Sequence, residues 1–196
     1  MARMPSQKMK TPPCIGCYVY LLEPRQPNAK DKAGKKPSYE VCLLLEKTDP
    51  FITQMKQTIA KVAQEAFGPM AIEQLKSGKI KNPIHDGDVD RPEDKNFAGK
   101  CFFNAKSTRQ VGIVDSKVQP VFEQKECYSG CTFIASMNVA AYDYEGTKGV
   151  TCYLNAAQVV KKGPHLDSVV DPKKEFEEFA EVGGAAAPGN AISDLF

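Results

Sequence analysis

The residue pattern predicts a mainly β chain: a small, partly open, five-stranded barrel with one or two helices, long loops and a flexible acidic C-terminal tail. Three observations carry this. Apolar and polar residues alternate with period two over 15–22 and again over 132–144. Only one long segment, 50–67, spaces its apolar residues as a helix does. Pro-, Gly- and Lys-rich stretches separate the periodic segments. Five strands with no internal repeat bury their apolar faces most economically by curling into a barrel.

The elements follow in order. Residues 1–14, with three Pro and three Lys or Arg, read as a flexible basic arm. A strand is expected over 15–22, with Ile15, Cys17, Val19 and Leu21 on one face and Gly16, Tyr18 and Tyr20 on the other. Residues 23–37 form a basic loop, and 39–46 a second, more continuously apolar strand. Asp49-Pro50 is a helix start, an N-cap acid before Pro at the first helical position. Ile52, Met55, Ile59, Val62, Ala63, Ala66 and Phe67 keep helical spacing until Gly68-Pro69; a short second helix is expected to reach Lys76. Residues 77–99 read as one long polar loop. A third strand covers 100–106, and 111–114 extends it or stands apart. The strand 132–144 puts Phe133, Ala135, Met137, Val139 and Ala141 inward. Glu145–Gly149 is a hairpin turn, and 150–160 returns antiparallel with Val150, Cys152 and Leu154 inward. Residues 172–181 suit a short acidic helix, and 183–189 a linker.

With 196 residues, 42% apolar and 26% charged, the chain holds material for one core plus appendages. No stretch approaches the ~18 consecutive apolar residues of a membrane span. The first residues lack the apolar run of a secretory signal. A soluble cytoplasmic protein with no membrane partner is expected, its seven Cys reduced. The net charge of +2 hides an asymmetry: 167–196 holds seven acids and two bases, a net −5, so 1–166 carries +7. A basic body with an acidic tail points to an anionic partner and a segment that competes for the same cations.

Aromatic residues stand opposite the expected core faces: Tyr18 and Tyr20 on the first strand, Tyr142 and Tyr144 on the long strand, and Tyr153 on its return. One of Phe102 and Phe103 must face the core, leaving Phe102 for the outer face. Exposed rings among Lys and Arg suit single-stranded nucleic acid, because bases stack on rings while cations follow phosphates. The phosphate candidates are Lys30, Lys32, Lys35 and Lys36 in the basic loop, Lys106 and Arg109 beyond the third strand, and Lys148 in the hairpin.

Other constellations are weaker. Cys14, Cys17, Cys127 and Cys131 have spacings that suit zinc, but Cys17 and Cys131 fall in core phase, so buried thiols are the default and no cofactor or metal is expected. The acids between Asp86 and Asp94 raise the alternative of a metal-dependent nuclease; they crowd one loop instead of rigid elements. No Walker loop or nucleophile–His pairing is present, and a non-enzymatic protein is expected. A third reading is an interaction module whose basic body docks an acidic protein.

Tyr128-Ser-Gly-Cys131, the strand through Asn138 and Tyr142, Gly146-Thr-Lys-Gly149 and Leu154-Asn-Ala-Ala-Gln-Val159 resemble a family of phage-encoded single-stranded-DNA-binding proteins of oligonucleotide-binding (OB) fold. So do Asp86-Gly-Asp88 and Phe97-Ala-Gly99. The resemblance covers roughly 15–166, the expected nucleic-acid-binding domain, between the arm 1–14 and the tail 167–196. It implies an OB barrel that protects single-stranded DNA in phage replication, recombination or repair, in the cytoplasm of the infected bacterial host. It gives Asp86, Gly87 and Asp88 a structural role. It also implies that the tail recruits phage or host replication proteins through Asp194, Leu195 and Phe196; the charge asymmetry, for its part, leads one to expect a tail that modulates DNA binding, with duplex binding appearing once it is removed. This chain departs from the simplest OB order, since its helix follows the second strand and not the third.

Overall fold

The computed structural model describes residues 4–29, 34 and 36–166. The elements are β1 (Ser6–Lys10), β2 (Cys14–Arg25), β3 (Ser38–Glu46), α1 (Pro50–Phe67), α2 (Ala71–Lys76), β4 (His85–Asp86), α3 (Gly87–Asp90), β5 (Lys100–Ser107), β6 (Gly112–Val114), β7 (Thr132–Tyr144) and β8 (Thr147–Lys161). Five strands pair in a closed ring, β2–β3–β5–β8–β7 and back to β2. All contacts round the ring are antiparallel except β5–β8, which is parallel at Ala105↔Cys152 and Lys106↔Tyr153. The mainly β, five-stranded fold class expected from the sequence is thereby found.

The strand faces follow the residue alternation. Phe133, Ala135, Met137, Val139 and Ala141 of β7 all point into the core. On β8, Val150, Cys152 and Leu154 are inward, and then the phase switches to Ala157 and Val159. The switch is a bulge: Ser136 pairs Ala156 but Met137 pairs Leu154, leaving Asn155 extra. The Asn155 side chain donates to Asn138 Oδ1 at 3.2 Å.

Helix α1 starts as its cap predicts, with the Asp49 side chain accepting from Phe51 N at 2.8 Å and Pro50 first. It buries Phe51, Ile52, Met55, Ile59, Val62 and Ala63 against one end of the ring, chiefly on β7. It lies between the second and third ring strands, as the spacing indicates.

Two expectations need correction. The basic arm is not free along its length, because Ser6–Lys10 pairs with β7 from Ser6↔Ala140 to Lys10↔Ser136 and buries Met9. Pro12 and Pro13 interrupt the strand, and Thr11 bridges the gap: its N–H donates to Ala135 O, and its hydroxyl accepts from Ala135 N at 2.9 Å. The stretch 77–99 is not one loop; it carries β4 and α3. Of the two readings of 111–114, the segment that stands apart is found: residues 112–114 form a separate strand, β6, parallel to β8.

The continuously apolar β3 is buried on both faces. Val41, Leu43 and Leu45 enter the main core, while Cys42 and Leu44 face outward beneath Phe97, alongside Cys17 and Phe102. This second cluster gives the ring a partly covered outer surface.

Candidate nucleic-acid interface

The register lines up an outward row across four strands: Tyr20↔Glu40, Glu40↔Lys106 and Lys106↔Tyr153. Directly opposite residues share a face, so Tyr20 and Tyr153, both exposed, end the row with a charged pair between them. Glu40 receives Lys106 at 3.3 Å, Arg25 at 3.6 Å and the Ser38 hydroxyl at 3.3 Å. Beyond Tyr153, a depression of about 420 Å³ is lined by Lys36, Lys106, Arg109 and Tyr153. Three of the sequence-predicted cations are therefore gathered beside one predicted ring.

Tyr18 is exposed, but it does not continue the ladder. The register shifts between Cys17 and Tyr20, and Tyr18 has φ +48°, a left-handed conformation uncommon for a bulky residue. The Arg91 guanidinium carbon lies 5.6 Å from its ring centre, and Phe97 6.2 Å away. Its hydroxyl donates to Asp94 Oδ2 at 3.5 Å. Partial burial raises the hydroxyl's pKa and Asp94 adds to the rise, while Arg91 opposes it, so the ring stays neutral.

Tyr142 lies across Gly149, where a Cβ would come within 2.5 Å of its hydroxyl oxygen; only Gly admits the ring there. Burial and the neighbouring Tyr153 raise the Tyr142 hydroxyl's pKa. Tyr144, 64% exposed, sits at the hairpin tip on the same face.

Two predicted residues are placed elsewhere. Phe102 is 5% exposed: His85 stacks on it at 5.0 Å and Phe97 meets it edge-on at 4.9 Å. Both Phe102 and Phe103 are buried, because the outer face of β5 is roofed at that point. Lys148 pairs with Asp143, on the opposite face of the hairpin from Tyr142 and Tyr144, and its ammonium lies 5.5 Å from the Phe67 ring centre. Lys30, Lys32 and Lys35, and the tail residues Asp194, Leu195 and Phe196, lie outside the described residues.

Arg91 escaped the sequence reading, and Asp94 entered it only as a member of the acid cluster. The signal was present: Arg91 is the one Arg within 77–99, directly before Pro92. Leu166 is a further member. Its N–H donates to Ser129 O at 3.1 Å, it packs on the Phe97 cluster, and it lines the cavity beside Tyr18. His165 stacks on Tyr128 at 3.9 Å, and the Tyr128 hydroxyl donates to Gly163 O at 2.9 Å. Gly130, at φ +113°, packs so closely on Pro164 O that no side chain fits. The chain is thus tied down up to the residue before the acidic segment, at one end of the aromatic face.

The acid cluster is occupied by its own partners. Lys47 reaches Asp86 at 2.5 Å and Asp88 at 2.7 Å, and Asp88 also accepts from Gly99 N at 2.8 Å. These bonds hold the Asp88 carboxyl below its ordinary range, Lys47 first. His85 pairs with Asp90 at 2.8 Å. Among the described residues, no group of three or more His, Cys, Asp or Glu is placed to hold a metal ion. The four Cys weighed for zinc are split: Cys14, Cys127 and Cys131 lie in the main core and Cys17 in the outer cluster. Burial pushes the Cys14 and Cys127 thiols up to about 12, which keeps them protonated.

Comparison with known proteins places this geometry in context. No curated protein matches the chain. The fold is similar to a single-stranded DNA-binding protein from bacteriophage Enc34 in complex with ssDNA, with TM-score 0.64 and 18% identity over 81% of this chain and 88% of that one. A C-terminally truncated form of the Enc34 protein gives TM-score 0.61 at 20% identity, over 81% and 87%. Gp2.5, a single-stranded DNA-binding protein encoded by bacteriophage T7, gives 0.60 at 16%, over 94% and 100%. The profile of the family described as Enterobacter phage Enc34, ssDNA-binding protein, matches residues 15–185, and the chain belongs to that family.

Proposed function

We propose that this chain is a phage single-stranded-DNA-binding protein that works without catalysis in DNA replication, recombination or repair inside the infected bacterial cell. The observation that carries the reading is the outward row from Tyr20 through Lys106 to Tyr153, flanked by Tyr18, Tyr142, Lys36 and Arg109, on a member of this family. Bases stack on the exposed rings and phosphates follow the cations, a mode that tolerates any sequence because every base has a π-face. Lys30, Lys32 and Lys35 are proposed to add phosphate contacts from the basic loop. Phe102 and Lys148 are left out, the first buried and the second turned toward α1.

Leu166, the residue before the acidic segment, is anchored beside the Tyr18 cavity. That placement supports a tail that competes with DNA for the cations of this face. The terminal Asp194, Leu195 and Phe196 suit a partner pocket with a basic rim, such as one on a replication protein.

The test is fluorescence anisotropy of a labelled oligo-dT across a salt titration, beside a duplex of equal length. Tight binding that favours oligo-dT, with a log–log salt slope of about −0.7 per phosphate contact, is the expected result. No oligo-dT binding at low salt overturns the reading.

A further inference from the structure

We infer that the cavity beside Tyr18 seats one unpaired nucleobase and that the Asp94 carboxylate biases this seat toward guanine; the inference rests on the single-stranded-DNA reading above. The cavity has a volume of about 630 Å³ and is lined by Tyr18, Arg91, Asp94, Asn96 and Leu166 among others. That is room for a nucleoside.

Its construction is specific. A register shift turns Tyr18 out of the β2 ladder at φ +48°. Bulges re-aim side chains in this way at functional sites, and strained backbone collects there. The Arg91 guanidinium lies near both Tyr18 and Phe97, at 5.6 and 5.8 Å from their ring centres. A base entering the cavity therefore meets an aromatic ring and a planar cation, two stacking surfaces.

Asp94 supplies the edge reader. Its Oδ1 accepts from Asn96 N at 3.0 Å, which fixes the carboxylate's orientation. Its Oδ2 receives the Tyr18 hydroxyl at a long 3.5 Å, so it has capacity for a better donor. Guanine offers N1–H and an N2 amino hydrogen side by side, a match to the two oxygens of a carboxylate. Adenine and cytosine offer one amino group beside an acceptor nitrogen. Thymine offers a single N–H between two carbonyls, which the carboxylate repels. The lining also carries Glu93 and Asp90, the latter paired with His85 at 2.8 Å, so Arg91 and Lys95 offset its carboxylates only in part.

The experiment uses the full chain and anisotropy competition at fixed salt among three equal-length strands: oligo-dT, alternating dT/dG, and alternating dT/deoxyinosine, whose base lacks the 2-amino group. The dT/dG strand is expected to compete about tenfold better than oligo-dT, and the inosine strand to fall between them. In Asp94→Asn, which keeps an amide oxygen to cap Asn96, the dG-to-dT ratio should collapse toward one. Equal competition by all three strands overturns the inference, and the inosine comparison needs no variant. A preference that survives Asp94→Asn overturns it as well. Loss of oligo-dT binding itself would instead remove the parent reading, and is seen separately.

Discussion

Lys106 Nζ lies 3.3 Å from Glu40, a carboxylate only 9% exposed in the middle of the aromatic face. The cation that the sequence offers to phosphate is already engaged by an acid on the neighbouring strand, and Arg25 flanks the same acid. Glu40→Gln keeps the shape and removes the negative charge. Single-stranded DNA affinity is expected to rise a few-fold at low salt, with the gain shrinking as salt screens it. The fold should weaken by about 1 kcal/mol as charge-assisted hydrogen bonds become neutral ones. Anisotropy and thermal unfolding read the two effects; weaker DNA binding in a folded Glu40→Gln chain would contradict the arrangement.

Tyr153 and Phe102 separate binding from folding. Tyr153→Ala removes an exposed ring and should cost about 1–3 kcal/mol of DNA affinity, with the melting temperature little changed. Phe102→Ala empties the cluster beneath Phe97 and should cost about 3–5 kcal/mol of stability. If Phe102→Ala folds as well as the parent chain and loses DNA binding selectively, the outer cluster has been misread.

Removing residues 167–196 raises the net charge from +2 to +7 and leaves Leu166 as the last residue. Affinity for single strands should rise, and duplex binding should appear, because duplex presents phosphates more densely. Unchanged affinity for both forms would show that the acidic segment does not compete for the face.

Stability should fall at alkaline pH. Burial pushes the thiols of Cys14, Cys42, Cys127 and Cys152 up to about 12, against about 8.5 in an unfolded chain. Between those values the unfolded chain loses thiol protons that the folded chain keeps, so unfolding is favoured as pH rises. The buried thiols' contribution is intact below about pH 8.5 and is lost progressively toward 12. Melting temperatures at pH 7 and pH 10 should differ in that direction, and thiol reagents should label the folded chain poorly at pH 8.

Lys47 holds Asp86 and Asp88 together. Lys47→Met should lower the melting temperature without creating activity. Labelled DNA incubated with manganese should remain intact for both chains; specific cleavage would revive the nuclease alternative.

Much of this was legible in the residue pattern, for physical reasons. The β7 alternation is set by one buried face, and Asp49-Pro50 carries its own capping chemistry, so both are local facts. The outer face was legible as aromatic but not as roofed. Phe102 is buried by Phe97 and His85, residues brought over β5 by a segment that looks like a loop. Lys148 was readable from strand phase, since it stands two positions before the inward Val150 and shares its side of the hairpin. Glu40 hides within an apolar strand, and its partners come from β2 and β5, so only the register reveals that Lys106 is engaged. Arg91 and Asp94 become a pair of walls only through the bulge at Tyr18, and no periodicity announces a bulge.

The central claim is that bases lie on the outer ring face. Its most direct test is photocrosslinking of a 5-iododeoxyuridine oligonucleotide to the full chain, with adducts located by peptide mass spectrometry. Adducts are expected at Tyr18, Tyr20 or Tyr153. Adducts confined to α1, or to the side of the hairpin that carries Lys148, would contradict it.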